Sequence, residues 1–170
     1  MALILRFPQP SDEADCRRIH AQLADEGFTF LPTTGSWGEI CRSIHEAHDR
    51  INIAPGRVPN TWLVADVDGQ VVGAASIRHA LNEHLLNEGG HVGYSVAREH
   101  RRRGYATEML RRSVAQLAVQ GTTRVLVTCH DTNIASAAVI ERCGGVLEDT
   151  HVAADGNPTR RYWITSSEPA

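Results

Sequence analysis

The chain has 170 residues, with 20 Asp and Glu against 17 Lys and Arg and a formal net charge of −3. That length suits one domain around one core, expected to span residues 1–170. The slight acidity excludes a global field for nucleic acid or an anionic membrane, so any basic site has to be local. Hydrophobic residues at 42% and charged residues at 22% exclude a disordered or fibrous chain.

Leu3 to Phe7 is a short apolar stretch closed by Pro8 and Pro10. Ser11-Asp12-Glu13 then offers an N-cap with acids in the first turn, so a strand gives way to a helix. Phe28 to Gly35 reads as a loop whose two aromatics roof the core or wall a pocket. In Ser36 to Ile51, the residues Trp37, Ile40, Cys41, Ile44, Ala47 and Ile51 recur at steps of three or four, one face of a second helix. After Pro55-Gly56 and Pro59, the β-rich runs Thr61 to Val67 and Gln70 to Ile77 are joined by Asp68-Gly69, a strong hairpin signal. His91 to Val96 is a third strand, with Gly89-Gly90 before it. Tyr105 to Gln120 is a helix burying Ala106, Met109, Leu110, Val114 and Leu117, with Gly121 as its C-cap. Thr123 to Cys129 is a strand, and Asn133 to Cys143 is a helix stopped by Gly144-Gly145. Val146 to Ala153 pairs with Arg160 to Thr165 across Asp155-Gly156. The order is β-α-α-β-β-β-α-β-α-β-β, an α+β chain with a mixed sheet. Exposed strand edges leave room for a homodimer.

Cys16, Cys41, Cys129 and Cys143 form no CxxC pair and sit among apolar residues, which fits buried thiols in a reducing compartment. No metal site is expected, because His79, His84 and His91 are not at a ligand spacing. The opening MALILRFPQPSDE has too short an apolar run for a signal peptide, and nowhere do about 18 apolar residues run together. The expectation is a cytoplasmic protein without membrane attachment.

Directly after the His91 to Val96 strand comes AREHRRRGYATEML, where Arg101, Gly104 and Ala106 fall at the spacing R-x-x-G-x-A as a helix begins. The first amides of a helix lack intrahelical partners and carry the positive end of the macrodipole, so they bind anions, and small residues let a phosphate approach the backbone. Arg98, His100, Arg101, Arg102 and Arg103 add positive charge suited to the phosphates of a nucleotide. The plain alternative is a solvated arginine-rich turn. GKS/T is absent and so is a strand-adjacent G-x-G-x-x-G, which argues against kinase and dehydrogenase sites. Nucleic-acid binding through Arg98 to Arg103 is disfavoured, since the run has no groove-reading helix or interleaved aromatics.

With this loop in this position, the chain resembles the GNAT superfamily of N-acetyltransferases, whose signature is Q/R-x-x-G-x-G/A. Within it, GGHVGYSV followed by RRRGYATEML resembles the RimJ/RimL-like ribosomal-protein acetyltransferases. It also resembles bacterial members that carry IRHxLN before a GGHxGY strand, here Ile77, Arg78, His79, Leu81 and Asn82. The resemblance covers residues 58 to 150 well and the first 55 by element order alone. It implies the family's α+β fold, a mixed central sheet of about six or seven strands flanked by about four helices. It also implies acetyl-CoA as acyl donor, no metal, and transfer by direct attack of a primary amine on a small molecule or a protein N-terminus. The alternative is a catalytically weakened CoA-binding regulatory or interaction domain.

By that resemblance, Val96 with Ser95 and Ala97 lies on the pantetheine arm, where strand amides pair with it. The amides of Arg102, Arg103, Gly104, Tyr105, Ala106 and Thr107 hold the diphosphate, and Arg101 is the signature residue. Asn133, opening the later helix, matches the family's cofactor-contacting Asn, with Ser136 one turn on. A simple N-cap is its other reading, and the two are compatible. His91 aligns with a Glu of RimJ/RimL-like members and is a candidate base, against the alternative of a hydrogen-bonded strand histidine. Many members place a tyrosine seven residues after the Asn to protonate the CoA thiolate, but here Ile140 stands there, which leaves Tyr94 or a water as donor. Acceptor pockets of this fold map near Phe28 to Trp37 and Asp155 to Arg161, where Asp25 and Glu26 also offer attraction for an amine.

Overall fold

The structure is a computed structural model that describes residues 2–166. Strand β1 (Leu3–Arg6) runs into a single 3-10 turn at Pro10–Asp12 and then helix α1 (Glu13–Ala24). Helix α1 buries Cys16, Ile19 and Leu23, the face its three-and-four spacing dictates. Helix α2 (Trp37–His48) opens on a capping box. Ser36 Oγ accepts from Glu39 N at 3.3 Å, and Glu39 Oε2 accepts from Ser36 N at 2.8 Å. Strands β2 (Asn60–Val67) and β3 (Gln70–Arg78) form the expected hairpin, with Asp68 and Gly69 both at positive φ, as a two-residue primed turn requires.

Between them and strand β4 (Val92–Val96) lies a helix the sequence did not announce, α3 (Glu83–Asn87). It is too short to show a helical period and is set by its cap, Asn82 Oδ1 accepting from Leu85 N at 2.9 Å. Helix α4 (Tyr105–Val119), strand β5 (Arg124–His130), helix α5 (Ile134–Arg142) and the pair β6 (Val146–Val152) and β7 (Pro158–Thr165) complete the chain.

The strands form two antiparallel sheets, β1-β2-β3-β4 and β5-β7-β6, so the central sheet is divided between β4 and β5. Strand β2 is buried along almost its whole length because both its faces are covered. Trp62 and Val64 pack with Ile19, Ile40 and Ile44 from α1 and α2. Leu63 joins Leu110, Leu117 and Ile140 from α4 and α5 on the other face. Each such fully buried aliphatic side chain contributes about 1.5–3 kcal/mol of transfer free energy. Arg6 ties the front edge together, its Nε donating to Asp66 and its Nη1 to the buried Asp12, both at 2.7 Å. The division between β4 and β5 is the feature on which the rest depends.

Candidate active site

Strands β4 and β5 touch at one point. Leu126 O accepts from His91 N at 2.8 Å, and His91 Nδ1 accepts from Leu126 N at 2.9 Å, so a side chain replaces the second half of a ladder pair. Gly90 permits this approach, because a Cβ there would lie 2.4 Å from Leu126 O. Past this contact the two strands share no pairing among the described residues, and the sheet opens in a V. Arg78 N donates to His91 O and Ala97 N donates to Val72 O, which sets the alternation along β4. Ser95 and Ala97 therefore turn their backbone to β3, while Val92, Tyr94 and Val96 turn theirs to the open edge.

His91 is 7% exposed, and burial first, then Arg78, pulls its pKa below the ordinary imidazole value. A backbone N–H can only donate, so Nδ1 has to be the acceptor and the neutral ring carries its proton on Nε2. No lone pair is left to take a proton from an amine. Of the two readings the sequence left open, candidate base and hydrogen-bonded strand histidine, the geometry matches the second, and His91 is the clasp at the apex of the V.

The signature loop lies at the other end of β4. Arg102 and Gly104 adopt left-handed backbone, φ 59 and 82, which turns successive amides to one side. The amides of Arg102, Arg103, Gly104, Tyr105, Ala106 and Thr107 meet no acceptor among the described residues. Helical bonding resumes only with Glu108 N to Gly104 O. These amides sit at the positive end of a 15-residue helix without a side-chain cap, an arrangement that suits an anion.

The arginines divide. Arg101 Nη2 and Arg98 Nε bind the two oxygens of Glu26, at 2.7 and 2.5 Å, and hold its carboxyl down to about 2, the Arg101 hydrogen bond being the larger cause. Arg101 Nε also donates to Val96 O at 3.2 Å. Both arginines thus fasten α1 to the loop, and Glu26 is spent on them rather than free for an amine. Gln22 adds to the clamp, accepting from Arg98 N and donating to Glu99. Arg102 makes no side-chain hydrogen bond among the described residues, and Arg103 makes one, to Glu99 O. These two remain for an anion. His100 points inward with both ring nitrogens buried and unpartnered, so it adds nothing to the outer surface.

Across the V, Tyr94 Oη lies 2.8 Å from Ser136 Oγ in the first turn of α5. Burial pushes the phenol up to about 12, against the opposing pull of Ser136. Asn133 caps α5 through Oδ1, which accepts from Ser136 N at 3.1 Å, and its Nδ2 has no partner among the described residues. The cap thus leaves Nδ2 available. Ile140, at the position of the family's tyrosine, is wholly buried in the core under Gly145, whose added Cβ would sit 2.4 Å from Ile140 Cγ2. It faces away from the cleft.

On the opposite face of β4 a cavity of about 810 Å³ opens beneath α2. Its floor includes Trp62, Ser76, Arg78, Gly93 and Ser95, and its walls come from residues 28–33, α2 and residues 51–58. The β6–β7 turn at Asp155 to Arg161 takes no part. Phe30 meets Trp62 edge-on at 5.5 Å and both roofs the core and walls the cavity, while the exposed Phe28 only lines the cavity. Arg78 carries no role in the sequence reading although its motif is visible there, since its function depends on what Gly89, Gly90 and Gly93 place around it. Among the described residues no group of His, Cys, Asp and Glu is arranged to hold a metal, and no helix is long and apolar enough to cross a membrane.

Residues 2–146 match the family described as acetyltransferase (GNAT) domain. No curated protein matches the chain. Among solved structures, RimJ of Mycobacterium smegmatis in complex with a CoA disulfide is 27% identical with a TM-score of 0.69, over 96% of this chain and 82% of that one. RimL, the ribosomal L7/L12 alpha-N-protein acetyltransferase in complex with coenzyme A, shares 18% identity and a TM-score of 0.73, over 97% and 94% of the two chains. The yncA protein of Salmonella typhimurium with acetyl-CoA shares 15% identity and a TM-score of 0.69, over 100% and 97%. The last two share the fold. With the family matched over most of the chain, the chain belongs to the GNAT acetyltransferase family.

Proposed function

We propose that this protein transfers the acetyl group of acetyl-CoA to a primary amine by direct attack. The observation that carries the reading is the run of unpartnered amides from Arg102 to Thr107 at the head of α4, beside the open edge of β4. The amides and the guanidinium groups of Arg102 and Arg103, neither of them in an ion pair among the described residues, suit the diphosphate. The edge groups of Tyr94 and Val96, with Asn133 Nδ2, suit the amides of the pantetheine arm, and a β4 amide suits the oxyanion that develops during attack. Ser95 and Ala97 support this strand from the β3 side.

Tyr94 is assigned the proton delivered to the CoA thiolate. Its raised pKa keeps it protonated at neutral pH, and Ser136 orients the hydroxyl. His91 is assigned to hold the strands at the apex, and the amine's proton leaves to water in the cavity. Cys16, Cys41, Cys129 and Cys143 are all free thiols, which supports a cytoplasmic setting.

Calorimetry with acetyl-CoA and thiol release with a panel of amines test the proposal. Binding and turnover are expected, both lost in Gly104→Glu, whose carboxylate would occupy the anion cradle; absence of acetyl-CoA binding refutes the reading. Ile140 motivates a second reading, a CoA-binding domain without catalysis, and that one requires binding with no turnover of any amine.

A further inference from the structure

Arg78 is the one cation of the cavity floor, and none of the ion pairs among the described residues includes it. Its Nη1 donates to Gly89 O at 2.9 Å and Gly90 O at 3.1 Å, while Nη2 and Nε have no partner among the described residues. Gly89 and Gly93 lie beside the guanidinium. A Cβ on Gly93 would lie 3.4 Å from Nη2 and one on Gly89 3.6 Å from Nη1, so the guanidinium lies against the backbone of β4, with two donors pointing away from the carbonyls. Burial and the nearby Arg57 both disfavour its charge. Arg57 also lines the cavity and makes no side-chain hydrogen bond among the described residues.

Among the described residues Glu46 is the one carboxylate that lines the same space, so the two arginines outnumber it. An uncompensated, half-sequestered guanidinium is costly unless an anion completes it, and its free fork matches a carboxylate or phosphate. A polyamine would meet repulsion there.

We propose that Arg78, with Arg57, is the subsite for an anionic group on the acceptor, so that the acceptor is a small amine that also carries a carboxylate or a phosphate. This rests on the acetyl-transfer reading above. The guanidinium lies over Gly93, and the attacked carbonyl belongs alongside Tyr94 to Val96, one to three residues on. At about 3.3 Å per residue, nitrogen and anion are about 3–10 Å apart, the scale of an amino acid.

The test compares matched amines in a thiol-release assay with acetyl-CoA: leucine against isopentylamine, O-phosphoethanolamine against ethanolamine, and spermidine alone. The anionic member of at least one pair is expected to have the higher kcat/KM, and which pair it is tells carboxylate from phosphate. Arg57→Glu is expected to lower that ratio by about tenfold or more, the loss of one charge-assisted contact. Arg78→Met should lower it further and Arg78→Lys partly restore it. Arg78→Met also strips two backbone carbonyls of their donor, so melting and acetyl-CoA calorimetry accompany each variant; if it unfolds, Arg57→Glu decides. Turnover of anion-free amines or spermidine at equal or higher kcat/KM overturns the inference while leaving acetyl transfer intact, as does a ratio unmoved by Arg57→Glu. Absence of acetyl-CoA binding, or binding with no turnover of any amine, removes the acetyl-transfer reading and this inference with it.

Discussion

Replacing Gly90 with alanine attacks the apex of the V at its narrowest point. The added Cβ would lie 2.4 Å from Leu126 O, where ordinary contact begins at 3.4 Å, so the strands must part by the difference of about 1 Å. Two costs combine. Left-handed backbone at a non-glycine residue costs about 1–2 kcal/mol, and forcing atoms into a packed seam costs about 1–3 kcal/mol. The sum of about 2–5 kcal/mol is a large share of the roughly 5–15 kcal/mol that holds a domain together, and lowers Tm by about 4–20 °C. Gly121→Ala is the control, since Gly121 is also left-handed, at φ +87, with nothing within 4 Å of an added Cβ. It should lose only the backbone cost, about 1–2 kcal/mol or roughly 2–8 °C. Thermal unfolding followed by circular dichroism measures both. If Gly90→Ala melts no lower than Gly121→Ala, the close approach of β4 to β5 is not the restraint described here.

Tyr94→Phe removes the hydroxyl bonded to Ser136 and should lower kcat by about 100-fold with little change in acetyl-CoA affinity, the lower range for a lost general acid. Because burial holds the phenol near 12, the wild-type rate should show no Tyr94-dependent fall below about pH 11, which a pH profile checks. His100→Leu deletes two buried nitrogens that have no partner, so it should raise stability by about 1 kcal/mol in urea unfolding. A destabilised variant would mean that His100 has a partner in solution.

Acid should act in two stages. His91 and His79 have lowered pKa values, in both cases chiefly through burial, so the unfolded chain binds their protons first and their stability is lost as pH falls below about 6.5. Asp12, lowered chiefly by its Arg6 hydrogen bond, contributes stability that is present above the ordinary carboxylate range and lost as pH falls through its folded value. Asp12→Asn should flatten the second stage alone in denaturant titrations run across pH.

Much of the fold was legible in residue order because its signals are local. Asp68-Gly69 forces a primed turn, and the apolar stripes of α2 and α4 mark the faces that pack on the core. The signature loop was legible for the same reason: Gly104 can be left-handed at no steric cost, and uncapped amides must follow it. Helix α3 was hidden because five residues carry no period.

What tertiary structure alone decided lies between distant segments. His91 offers a base in any strand until Leu126, thirty-five residues on, donates into its Nδ1 and consumes the lone pair. Arg98 and Arg101 look like phosphate ligands until Glu26 binds both. Tyr94 gains a partner only because the open V brings α5 opposite β4, and Arg78 is held at the cavity floor by the carbonyls of Gly89 and Gly90, eleven and twelve residues on. The sequence by itself determined which backbone groups could bind a nucleotide, since helix starts and glycine turns are set within a few residues. Which side chains remained free for chemistry was decided by long-range pairing, because an ionisable group's role depends on what fills its hydrogen bonds and how much water it keeps.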